Sequence, residues 1–153
     1  MSAGTGILHS EKNDAAGMNE PVHFVQMWVV PEANGIEPGY EQLEIDAELL
    51  NGALVPVASG MPRHDGASAI RIKNQYAALH AARLQPGQSV ELPDAPYMHL
   101  FVPRGSVLLE SAGELSSGDA VRFTATGGQR VTATEPVPTN NSAQMTVRRV
   151  TRP

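Results

Sequence analysis

The pattern of apolar and polar positions along the chain is that of many short strands. Few windows keep apolar residues at the helical spacing i, i+3, i+4, i+7 for three turns, and 14 glycines and 12 prolines divide the sequence into short segments. Alternating or fully apolar runs lie between clusters of turn-forming residues. The predicted strands are residues 22–30, 40–46, 69–73, 76–84, 97–102, 106–110, 120–124, 130–134 and 144–150.

Short strands at this spacing are typical of a β-sandwich or a β-barrel. The run 22–30 is apolar on both faces, and such a strand needs cover on both sides, so we predict that it lies in a core. The stretch 31–39 that follows is polar and rich in proline and glycine, which indicates a connector. We therefore place a boundary near Pro38, which divides the chain into residues 1–38 and 39–153.

Composition and charge exclude several classes of function. The net charge is −5 and charged residues make up 18% of the chain, so we expect neither a nucleic-acid partner nor a membrane surface. The absence of cysteine excludes disulfides and thiolate metal sites, and it agrees with a reducing compartment. The first residues have no basic segment followed by an apolar run, and no stretch has the ~18 apolar residues of a membrane helix. The predicted location is cytoplasmic.

Three stretches near the start of the chain together resemble the pirin family of bicupins. They are MSAGTGILHSE at residues 1–11, HFVQMWV at residues 23–29 and GIEPGYEQ at residues 35–42, and weaker similarity continues through the rest of the chain. The resemblance implies an all-β cupin fold, which is a double-stranded β-helix or jelly-roll barrel. It also implies a complete C-terminal barrel in residues 39–153 and, in residues 1–38, the last strands of an N-terminal barrel truncated at its own N-terminus.

The resemblance also implies a metal centre, with Fe(II) or another divalent ion. In the family's N-terminal barrel a His-x-His pair and the His and Glu of a His-Ser-Glu segment hold the ion, and this segment corresponds to His9 and Glu11. Residues two apart on a strand share a face, and imidazole and carboxylate suit non-haem Fe(II) or Mn(II). No His-x-His occurs in the chain, so half of the expected ligands have no counterpart. We expect weak metal binding, with Glu11 as the candidate catalytic base.

Other positions are predicted to be structural. Apolar residues take the places of cupin ligands in the C-terminal half, which predicts a metal-free barrel with a filled interior. Its predicted interior residues are Val90, Leu92, Val107, Leu109, Val121 and Val131. His23 and His80 are expected in the core or at a sheet edge with their hydrogen bonds satisfied, and His64 in a turn. Trp28 and Met27 could line the metal pocket, although a tryptophan in an apolar strand usually packs in the core. His99 is offset from every cupin ligand position.

The leading functional hypothesis from this resemblance is a truncated or split quercetin 2,3-dioxygenase of the pirin type, acting on a flavonol-type small molecule. The missing ligands would come from a complementing N-terminal cupin fragment or from residues lost through a wrongly placed start codon. Residues 1–30 are expected to pair with such a fragment, to form a homodimer, or to dock onto the C-terminal barrel, because unpaired strand edges seek partners. The alternatives are a non-enzymatic binding or regulatory module and a decayed fragment.

Overall fold

The computed structural model describes residues 1–12, 23–45, 51–68, 70–134 and 143–150 of the chain. One 3-10 turn, Pro62–His64, is the helical element of these ranges. The strands are β1 (Val55–Ser59), β2 (Ile70–Arg71), β3 (Ala77–Leu84), β4 (Ser89–Glu91), β5 (Ala95–Arg104), β6 (Ser106–Leu109), β7 (Gly113–Ser116), β8 (Ala120–Thr126), β9 (Arg130–Ala133) and β10 (Ala143–Val150). No helix of the described ranges is long and apolar enough to span a bilayer.

The strands form two sheets. One has six strands in the order β2-β1-β3-β10-β5-β8, and the other has four in the order β4-β9-β6-β7. The strand pairs are antiparallel except for β1 and β2, which run parallel. Strand β5 passes directly into β6 of the other sheet through Gly105, whose φ of 77° is strained for other residues. The domain is therefore an all-β cupin barrel, as the resemblance implied.

The core lies between the two sheets and is almost entirely aliphatic. Five of the six predicted interior residues are buried, namely Val90, Leu92, Val107, Leu109 and Val131, and Val121 is partly buried against them. On β5 the side chains alternate, so Leu100 points into this core and its neighbours His99 and Phe101 point to the outer face. The predicted interior is confirmed.

Six predicted strands are confirmed as β3, β5, β6, β8, β9 and β10, with small shifts in their bounds. Strands β1, β4 and β7 were not predicted. In β1, Pro56 lies at a register shift against β3, and a proline that cannot donate to the ladder is tolerated at such a bulge. Strands β4 and β7 have only three and four residues, too few for an alternating pattern to stand out.

Three strand predictions need correction. Residues 23–30 and 40–45 form no strand, and Trp28 is 78% exposed, so the predicted core position of the first segment is wrong; Val22 and Asp46 lie outside the described residues. The predicted strand 69–73 is reduced to Ile70–Arg71, with Ala69 outside the described residues. An apolar pattern indicates that a segment must be buried against other residues, but it does not indicate which residues bury it. No described strand offers its ladder hydrogen bonds to these two segments.

The segment before the barrel is attached to it mainly through polar contacts. Ser2 and Gly39 exchange backbone hydrogen bonds of 2.7 and 3.0 Å, which hold these two residues together. The Asn74 side-chain amide donates to the Val30 carbonyl at 2.8 Å, and the Gln75 N–H donates to the Glu32 carboxylate at 3.0 Å. These contacts dock the segment onto the loop before β3. The boundary near Pro38 stays a prediction.

Candidate functional site

His9 and Glu11 lie side by side at the surface. The Nε2 atom of His9 is 3.9 Å from Oε1 of Glu11, and the two side chains are 41% and 54% exposed. Residues 7–12 form no strand, so the expectation that a strand presents both side chains is wrong. The backbone pairing in this region is the single Ser2–Gly39 bridge, which ends before His9 is reached.

Glu11 is held by a residue of the apolar segment. The side-chain amide of Gln26 donates a hydrogen bond of 3.0 Å to Oε1 of Glu11. This contact joins the His-Ser-Glu segment to the run 23–30, which lies far from it in sequence. The second carboxylate oxygen of Glu11 makes no hydrogen bond with another described residue, and it is available to accept one.

The pair suits a divalent ion in ligand type but not in ligand number. Nitrogen and oxygen ligands of one ion lie about 2.1 Å from it, hence roughly 3–4 Å from each other, and exposed side chains can rotate to reach that spacing. A facial triad needs a third ligand. Within the described ranges no group of three His, Cys, Asp or Glu side chains surrounds a common point. His9 and Glu11 therefore do not form an independent metal site among these residues.

A cleft of about 460 Å³ lies beside this pair, between the segment 23–30 and the outer face of the six-stranded sheet. Its lining residues are Val25, Gln26, Met27, Trp28, His99, Phe101 and Arg122. Gln26 connects the His9–Glu11 pair to the cleft, because it lines the cleft and its side-chain amide donates a hydrogen bond to Glu11. Trp28 lines this cleft and is largely exposed, so of its two predicted roles, packing in a core is wrong.

A second cluster of polar side chains lies where strands β1 and β3 of the six-stranded sheet meet the 3-10 turn. Ser59 Oγ accepts a hydrogen bond of 3.0 Å from the Met61 N–H and lies 2.9 Å from Nδ1 of His64. The His64 and His80 rings meet edge to face with centroids 5.3 Å apart. Nδ1 of His80 is buried without a hydrogen-bond partner among the described residues. The predicted buried position of His80 is confirmed, but the expected hydrogen bond on Nδ1 is absent.

Burial controls the protonation of both histidines in this cluster. Loss of hydration, together with the neighbouring His64 and Arg63, lowers the pKa of His80 from 6.5 to about 4. Burial and Arg63 also lower the pKa of His64. His80 is therefore neutral at physiological pH. Strand alternation on β3 places His80 on the face of Ala78 and Ala82, which is the sequence signal for its burial.

Comparison with known proteins places the chain in a family. No protein-family model matches the chain. It is 58% identical over 136 residues to a Mycobacterium tuberculosis protein named "Putative quercetin 2,3-dioxygenase", which covers 89% of this chain and 54% of that protein. It is 55% identical over 47 residues to the quercetin 2,3-dioxygenase of Escherichia coli K12, which covers 31% of this chain and 20% of that protein.

Solved structures agree with the sequence relatives. YhhW from Escherichia coli superposes with a TM-score of 0.64 at 20% identity over 80% of this chain and 47% of its own. The nickel(II) complex of the same bacterial pirin gives a TM-score of 0.61 at 18% identity, over 80% of this chain and 48% of its own. The chain belongs to the pirin family. This pirin spans about half the length of the mycobacterial relative, 54% of it.

The predictions for the remaining histidines of this pirin have different outcomes. His23 is exposed and accepts a hydrogen bond of 2.8 Å from Nε of Arg104, so its expected position in the core or at a sheet edge is wrong because its segment forms no strand. His64 lies in the 3-10 turn, as predicted. His99, which the sequence analysis assigned no role, lines the cleft. Its outward position follows from its place beside Leu100 on β5.

Proposed function

We propose that this pirin is one half of a two-barrel quercetin 2,3-dioxygenase, in which His9 and Glu11 are two ligands of a divalent ion. A second barrel, on a complementing fragment, supplies the remaining ligands. The observation that carries the proposal is the approach of His9 and Glu11 to 3.9 Å beside a largely exposed apolar segment. The similarity to quercetin 2,3-dioxygenases of about twice its length supports it.

The exposed apolar side chains of the segment support the need for a second barrel. Phe24, Trp28 and Val30 are 61%, 78% and 76% exposed, and Leu8 beside His9 is 102% exposed. Clustered apolar side chains at a surface mark an interaction site. A barrel that covered this segment would also bring its own ligands next to His9 and Glu11. Burial of the apolar segment and binding of the metal ion would then occur together.

The residues of this chain have separate roles in the proposed site. A bound divalent ion supplies Lewis acidity toward a flavonol hydroxyl. The nickel(II) complex of the bacterial pirin YhhW supports an ion of this class. Gln26 orients Glu11 by holding Oε1, and the other oxygen of Glu11 accepts the proton that the flavonol hydroxyl loses. His9 contributes an imidazole nitrogen.

The test is a titration with Mn(II), followed by the magnetic resonance signal of the free ion, on the wild-type chain and three variants. We expect weak binding by the wild type, at least tenfold weaker binding by His9→Ala and Glu11→Gln, and no change in the control His23→Ala. His23 is exposed, and its Nδ1 atom accepts a hydrogen bond from Arg104. Addition of the part of the mycobacterial relative that this chain does not match should tighten binding and retain the dependence on His9. Tight binding that ignores His9 would contradict the proposal.

The exposed apolar segment also favours a second candidate function, a non-enzymatic binding module that uses residues 23–30 to hold a protein partner. The same titration distinguishes the two functions. A complex that forms with the added fragment but binds Mn(II) no more tightly than the chain alone would favour the binding module.

A further inference from the structure

The outer face of the six-stranded sheet carries a group of side chains that the proposed metal site does not use. His99 on β5 lies directly opposite Arg122 on β8 in the antiparallel register. Leu100, between His99 and Phe101, is fully buried in the core, so His99, Phe101 and Arg122 all stand on the other face. The outer face of the sheet thus presents an imidazole, a phenyl ring and a guanidinium next to one another.

The segment 23–30 and this face of the sheet together line the cleft of about 460 Å³. It is anchored beyond both ends of the cleft, by the 2.8 Å hydrogen bond from Arg104 to His23 and by the 2.8 Å hydrogen bond from Asn74 to the Val30 carbonyl. Between these anchors Trp28 lines the cleft while 78% of its surface is exposed. The indole and the phenyl ring of Phe101 therefore offer two aromatic surfaces within one cleft.

The charge in the cleft is positive. Arg122 is exposed and makes no hydrogen bond or ion pair with any other described residue, and none of the described residues that line the cleft carries a carboxylate. A guanidinium binds a carboxylate through two parallel hydrogen bonds and also stacks against aromatic rings. The complementary occupant has an anionic carboxylate and a flat apolar body, and a volume of about 460 Å³ accommodates one or two fused rings.

We propose that this cleft binds a small aromatic carboxylate, with Arg122 on the carboxylate and the ring system between Trp28 and Phe101. The site includes neither His9 nor Glu11, so it goes beyond the proposed metal centre and does not depend on it.

The test uses the indole N–H resonance of Trp28, because Trp28 is the single tryptophan of the chain and its signal needs no assignment. The ¹⁵N-labelled chain is titrated with 2-naphthoate and, in parallel, with the uncharged 2-naphthamide. We expect a saturable shift of the indole signal with naphthoate and about tenfold weaker binding of the amide, because the uncharged amide cannot form a bidentate ion pair with Arg122.

Variants separate the charge from the aromatic surfaces. Arg122→Gln should weaken naphthoate binding about tenfold and remove the preference over the amide, whereas Phe101→Ala should weaken both ligands. Arg130→Gln is the matched control, since Arg130 is an exposed strand arginine of the other sheet. His9→Ala should leave naphthoate binding unchanged, so failure of the metal proposal does not affect this result. No indole shift, equal binding of the two ligands, or full affinity in Arg122→Gln would overturn the proposal.

Discussion

Acid should destabilise this barrel through His80. The side chain is only 6% exposed and its Nδ1 atom has no partner among the described residues, so the folded state has nothing there to offset the charge of an imidazolium. Burial and the nearby His64 lower its pKa from 6.5 to about 4. Between these values the unfolded chain binds more protons than the folded chain, so the free energy of unfolding falls as the pH falls from 6.5 to 4.

The size of this effect follows from the pKa values. At about 1.4 kcal/mol for each tenfold change in proton affinity, a pKa lowered from 6.5 to about 4 corresponds to about 3 kcal/mol. Opening of the sheet at low pH would hydrate the ring and reduce this value, so we expect a loss of about 1.5–3 kcal/mol. The measurement is urea unfolding followed by far-ultraviolet circular dichroism at several pH values between 7 and 4.

The variant His80→Leu isolates the contribution of His80. It removes the titrating group and keeps an apolar side chain of similar volume between Ala78 and Ala82. Between pH 7 and 4 this variant should therefore lose about 1.5–3 kcal/mol less of its free energy of unfolding than the wild type does. Val131→Ala is the control, because it leaves a cavity in the core and should lower stability equally at every pH. An unchanged pH dependence in His80→Leu would refute the reasoning.

Three further predictions concern stability, each measured by urea unfolding at pH 7. Leu109→Ala should cost about 2–5 kcal/mol because Leu109 is fully buried between the sheets, and a loss below about 1 kcal/mol would contradict that position. Gly60→Ala should cost about 1–3 kcal/mol because the added Cβ would meet the Asn74 carbonyl, which is backbone and cannot rotate away. Asp65→Asn should cost less than about 1 kcal/mol, since its 2.9 Å ion pair with Arg71 is exposed, and a larger loss would indicate a further role for Asp65.

The barrel was largely predictable from the sequence because its strands carry their own signal. In β9 an apolar residue alternates with a polar one, and that alternation survives in the structure as burial of Val131 and Ala133. Strand β1 was missed because Pro56 normally argues against a strand, and only the register shift at that residue permits it.

The segment before the barrel was less predictable because its pattern depends on a partner. Residues 23–30 have the apolar composition of a buried strand, yet no described strand pairs with them, and Trp28 is exposed. The pairing of His9 with Glu11 came from a family resemblance, whereas the contact of Gln26 with Glu11 joins residues that no periodic pattern connects. The Arg122–His99 pair likewise depends on the register of β5 and β8, which no single strand encodes.

The measurement that tests the central claim most directly is oxygen uptake with quercetin by this chain, alone and after co-expression with the part of the mycobacterial relative that it does not match. The account predicts little or no uptake by the chain alone, because His9 and Glu11 are too few to hold the ion firmly. It predicts uptake by the co-expressed pair, lost in His9→Ala and retained in His23→Ala. Quercetin-dependent and His9-dependent uptake by the isolated chain, without any added fragment, would contradict the account.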